Sequence, residues 1–174
     1  MVVFDPELGI AVDVFPCEDG HAQERSLLSA VADTVQSQDL SIADRNFCVL
    51  EFLFKIHRKP AFFVIRQQGG TPYKLLTSLE FVGKSASGDV FEQRVEITAP
   101  DGETLPVRRV VVELNTPTRN GDKPLILLTN LPEETVDALT VAELYRARWG
   151  IETAFQKLES HLNSEINTLG YPKA

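Results

Sequence analysis

Apolar positions along the chain change period several times, and each change marks an element. VVF (Val2–Phe4) and IAVDVF (Ile10–Phe15) are short β-type runs, with the turn residues of DPELG between them, so the opening predicts a hairpin. From His21 to Gln36 the spacing becomes helical, with Leu27, Leu28, Val31 and Val35 on one face and Asp19 or Gly20 where a cap belongs. LSIADRNF follows, a short buried-strand run (Leu40, Ile42, Ala43) that stops at the charged pair Asp44–Arg45. A second helix is expected from Cys48 to about His57, ended by Pro60. AFFVIRQQ is continuously apolar through its first five residues, the pattern of a strand covered on both faces.

Between Gly69 and Pro124 the character changes. SASGD, APDGE and TRNGD are turn signals separating β-type runs such as VFEQRVEI and VRRVVVEL. They predict an antiparallel ribbon or small sheet, about residues 70–120, inserted into the domain. LILLTNL then reads as a buried strand, and a helix-rich tail begins near Val136. No repeat, low-complexity tract or Gly-rich phosphate loop interrupts the pattern, and no linker divides it. The expectation is one α/β domain over residues 1–174 with a β insertion.

Composition narrows the reading. The chain has 174 residues, 43% hydrophobic and 24% charged, which suits a globular domain with a real core. No apolar run approaches the ~20 residues that span a bilayer. MVVFDPELG lacks a basic leader or cleavable apolar segment, so a cytoplasmic protein with no membrane partner is expected. Cys17 and Cys48 form no CxxC pair and read as reduced thiols. The net charge of −8 is opposite to that of a free-standing nucleic-acid binder, so any DNA contact must rest on a local constellation.

Two places could carry chemistry. Asp44 stands where a buried strand ends, and open α/β sheets place ligand sites at the carboxyl ends of strands. An isolated aspartate there also serves as a plain helix cap or turn residue. The second place is the tail helix LTVAELYRARWGIETAFQKLESHL, whose Leu144, Ile151, Phe155, Leu158 and Leu162 form an apolar stripe. With Tyr145 at zero, Arg148, Glu152 and Glu159 fall at about −60°, −20° and −40° on a helix advancing ~100° per residue. These four share a second face beside the stripe. The bland alternative is ordinary i,i+4 pairing, with Arg148–Glu152 a solvated ion pair.

ADRNF at a strand end, a β insertion, and YRARWGIE on a helix together resemble the DDE-class cut-and-paste transposases, in particular the insertion-sequence-four family. That family has a ribonuclease H-like core with a β-rich insertion before its last catalytic helix. Its signature is Tyr, two residues, Arg, three residues, Glu, six residues, Lys. Tyr145, Arg148 and Glu152 match that spacing, and the likeness runs from about Val2 to Glu159.

The resemblance implies that Asp44 and Glu152 are catalytic carboxylates binding Mg²⁺, with Mn²⁺ as an alternative. It implies that Tyr145 and Arg148 hold DNA phosphates, and that the complete enzyme cuts and joins transposon ends, as a homodimer, in association with a bacterial nucleoid. Oxygen ligands suit such ions, and two of them could serve in-line phosphoryl displacement.

Two departures follow from the same comparison. Glu159 occupies the lysine position, and Lys157 points about 120° away from Tyr145. The family's first aspartate lies on a strand upstream of a hairpin like the opening one, and neither Asp5 nor Asp13 replaces it. An incomplete core that does not cut DNA alone is therefore expected. The alternative is a non-catalytic remnant, or a fragment that binds DNA or a partner. Cys17, Asp19 and His21 suggest a metal cluster by type, but capping explains the last two more simply. Trp149 reads as packing, and Lys84, Arg94, Arg108, Arg109 and Arg119 as surface charge that could face DNA.

Overall fold

A computed structural model describes residues 2–5, 10–15, 24–118 and 121–148. The opening hairpin is present as β1 (Val2–Asp5) and antiparallel β2 (Ile10–Val14). A short 3-10 turn leads into α1 (Leu28–Thr34). Then come β3 (Leu40–Ala43), a 3-10 turn over Arg45–Phe47, α2 (Leu50–Arg58) and β4 (Phe62–Arg66). The β-rich stretch supplies β5 (Lys74–Leu75), β6 (Glu80–Lys84), β7 (Gly88–Thr98) and β8 (Thr104–Leu114). It is followed by β9 (Pro124–Thr129) and α3 (Ala138–Ala147).

Apart from the hairpin, the strands make one mixed sheet in the order β3-β4-β9-β8-β7-β5, with β6 also on β7. β3 and β4 are parallel and the other pairs antiparallel. The β-rich stretch thus continues the sheet and is not a separate ribbon. The reason lies in β8: Val110, Val111 and Val112 pair with Leu127, Ile126 and Leu125, and burying that apolar ladder requires the two regions to be contiguous. The turn signals act where the sequence put them. Ser85 to Gly88 turns β6 into β7, and at Gly88 a Cβ would lie 1.9 Å from the Glu113 carbonyl oxygen, so only glycine allows the strands to approach there.

Period-2 alternation in β4 divides the core into two layers. Phe63 and Ile65 point to α1 and α2, where Leu28, Val31, Phe52, Leu53 and Ile56 are buried, and Val3 and Phe15 of the hairpin pack on the same layer. Val64 points to the opposite face, where Val90, Val110, Val112, Leu125 and Leu127 meet Ala138, Val141, Ala142 and Tyr145 of α3. The sheet is covered on both sides at β4, as its unbroken apolar run requires. α3 starts on the side chain of Asp137, which accepts a hydrogen bond from the Thr140 N–H at 2.7 Å.

Candidate active site

Asp44 follows β3 directly. The parallel register sets Ala43 beside Ile65, so Asp44 and Arg66 stand side by side at the carboxyl ends of neighbouring strands. Alternation puts both on the α3 face, because Ile42 and Val64 belong to that layer. Asp44 Oδ1 accepts a hydrogen bond from the Asn46 N–H at 2.8 Å and caps the short 3-10 turn. The capping role is therefore real. A carboxylate has about four lone-pair positions, so one such bond fixes its direction and leaves acceptor capacity.

α3 lies across the sheet with Tyr145 facing inward, only 1% exposed. This is deeper than an edge position, because Tyr145 belongs to the core layer between α3 and the sheet. The Arg148 guanidinium lies over its ring at 5.4 Å from the centroid. Burial pushes the Tyr145 phenol above the ordinary tyrosine range; the charges of Arg148 and Arg66 pull it down, and that of Asp44 raises it. Four groups from three elements thus share one neighbourhood, although Asp44 and Tyr145 are separated by the whole β-rich stretch.

Two residues at this place carried no sequence signal as site residues. Arg66 ends β4, beside Asp44, which follows β3. Its guanidinium pairs with Asp122 at 2.7 Å, and Arg45 stands 3.9 Å from the same carboxylate. Asp122 looked only like the last residue of a turn.

Glu152 lies outside the described residues, as do Trp149, Lys157, Glu159, Arg119, Cys17, Asp19 and His21. Asp5 ends β1, and Asp13 on β2 bonds the N–H of Val14 at 2.8 Å. Among the described residues no three His, Cys, Asp or Glu side chains gather as a metal cage. Cys48 is buried, with Sγ 3.3 Å from the Thr71 hydroxyl.

Nor, among the described residues, do the cations of the β-rich stretch form one patch. Lys84 pairs with Asp89 at 3.4 Å, Arg94 with Glu133 at 2.7 Å, and Arg108 with Glu92 at 2.5 Å. Arg109 donates to Gln67 Oε1 at 2.8 Å and sits against Tyr73. Among the described residues no helix is long and apolar enough to cross a membrane.

The family model described as the transposase DDE domain matches residues 1–169. The chain belongs to that family. Among curated proteins it is similar to the putative transposase y4zB of Sinorhizobium fredii, 28% identical over 167 residues, covering 92% of this chain and 44% of that protein. It is also similar to the putative transposase InsL for insertion sequence element IS186A of Escherichia coli and to the transposase for insertion sequence element IS421. Both of those are 51% identical over 39 residues, 22% of this chain and 10% of the relative. The chain spans less than half the length of the curated relatives it matches.

Proposed function

We propose that this DDE domain, within a complete transposase, carries out divalent-metal-dependent cleavage and transfer of DNA strands at transposon ends, on a ribonuclease H-like core with a β insertion of the insertion-sequence-four type. The observation that carries the reading is Asp44 at a strand end beside Tyr145, Arg148 and Arg66, on the face covered by the motif helix. Glu152 follows Tyr145 and Arg148 in the sequence, at a spacing that would turn it toward the same side on a continuing helix.

The donor chemistry fits a hard divalent ion: Asp44 and Glu152 would hold Mg²⁺ or Mn²⁺ through carboxylate oxygens. An ion there would lower the pKa of bound water and offset charge on the phosphoryl oxygens during in-line displacement. The chain's own residues do the rest. The cap bond from Asn46 fixes the orientation of Asp44. Arg148 offers a planar fork to a DNA phosphate. Tyr145, being buried, acts behind Arg148, holding the half-buried guanidinium by ring contact.

Mg²⁺ distinguishes this from a phosphate-contacting fragment with no metal site. Free Mg²⁺ competes with protein for DNA and weakens non-specific binding. A metal held at Asp44 acts the other way, by neutralising a carboxylate that repels the backbone. At constant ionic strength, millimolar Mg²⁺ should tighten binding of the purified chain to duplex DNA, and Asp44→Asn should lose that gain while binding more tightly than wild type without metal. If Mg²⁺ weakens both proteins equally while Arg148→Gln still costs affinity, the domain is a DNA-binding piece without a metal site.

A further inference from the structure

Asp122 lies in the loop joining β8 to β9, and its carboxylate is set between two arginines beside Asp44: Arg66 at 2.7 Å and Arg45 at 3.9 Å. The loop is built to hold it there. The Asp122 N–H donates to the Thr118 hydroxyl at 3.2 Å, the Thr118 N–H donates to the Asp122 carbonyl at 3.0 Å, and Gly121 closes the turn at φ 82°. Arg66 comes from β4, and Arg45 follows Asp44 in the chain.

The exposures differ in an informative way. The Arg66 side chain is 18% exposed and that of Asp122 is 37% exposed, so the anion sits on the solvent side of a largely covered cation. A carboxylate and a phosphodiester carry the same single charge and offer similar oxygens to a guanidinium fork. A partly exposed anion on a more deeply covered arginine is therefore exchangeable for another anion arriving from solvent.

We infer that Arg45 and Arg66 form a further site for a DNA backbone phosphate, and that Asp122 is its tethered surrogate, occupying the site until a phosphate displaces it. The inference rests on the reading of this domain as DNA-processing and deepens it. It gives the acidic chain a local device: Arg66 is kept extended and ordered without DNA, and phosphate binding must compete with an internal carboxylate, which disfavours loosely placed DNA.

The test measures affinity of the purified chain for inorganic phosphate and for a short duplex DNA, in wild type, Asp122→Asn, Asp122→Ser and Asp101→Asn. The last variant removes an equal charge from the Arg58 ion pair and serves as the control for net charge. Both Asp122 variants should bind phosphate and DNA about threefold or more tightly than the control. Arg66→Gln should reduce the slope of log affinity against log salt by about one phosphate contact. Equal affinities in the Asp122 variants and the control, or weaker binding in both Asp122 variants, overturn the inference and leave a structural ion pair. If that happens while Asp44 still governs the response to Mg²⁺, the surrogate fails and the functional reading stands; if the Mg²⁺ response is also missing, both fail.

Discussion

Tyr145 carries a hydroxyl into the layer between α3 and the sheet, where burial disfavours its ionised form. The folded protein then holds the phenolic proton to higher pH than the unfolded chain does. Stability from this residue is fully present below the ordinary tyrosine pKa of about 10 and is lost as pH rises through the higher folded value. Thermal melts from pH 9 upward should show a decline that Tyr145→Phe makes shallower; an identical decline in both proteins would mean that the phenol is not desolvated. Legibility at this scale was uneven. Asp44 and the Tyr-Arg pair were visible because residue type, strand end and helical spacing coincided. Arg66 and Asp122 were not, because their partnership depends on a loop and a strand end that only the folded sheet brings together.

Helix α3 owes its placement to a neighbour in the β-rich stretch. Arg108, on β8, is 6% exposed and bonds Glu92 of β7 at 2.5 Å. Its Nη1 donates to the carbonyls of Leu131 and Val136 at 3.2 and 2.6 Å, at either end of the connection from β9 to α3. The strands thus grip the segment that aims the helix bearing Tyr145 and Arg148. Arg108→Ala strands a half-buried carboxylate and two carbonyls and should cost roughly 3–5 kcal/mol in denaturant unfolding. Arg108→Met with Glu92→Leu should recover most of that loss, since no buried charge remains. A cost below about 1 kcal/mol for the single change would show that the clasp is solvated and contributes as a surface pair does. The strand and helix periods and the double covering of β4 were readable from apolar spacing, and the turns at SASGD and APDGE from their turn residues. The buried ion pair was not: in VRRVVVEL both arginines look like surface charge, and alternation alone does not reveal which one turns toward α3.

For the whole molecule, the decisive feature is that β3, β4 and α3 converge although the sequence between them forms the other half of the sheet. The parallel β3–β4 pair and the crossing of α3 set the neighbourhood, and the long β7–β8 hairpin extends the sheet without displacing it. Sequence pattern identified the longer elements but not β5, β6 or the order of strands in the sheet, because pairing β8 with β9 is a matter of burying two valine- and leucine-rich faces together, which local periodicity does not encode. The net charge of −8 opposes long-range attraction to DNA, so the proposed function rests on this local arrangement. Its central claim is that Asp44 and Glu152 share one divalent ion. A double-mutant cycle on Mn²⁺ affinity tests that directly, using Asp44→Asn, Glu152→Gln and the pair. If the ion is shared, each single change weakens binding roughly tenfold and the double change adds little more, because one site has already been broken. Losses that simply add, or a Glu152→Gln protein that binds Mn²⁺ as wild type does, would contradict the account.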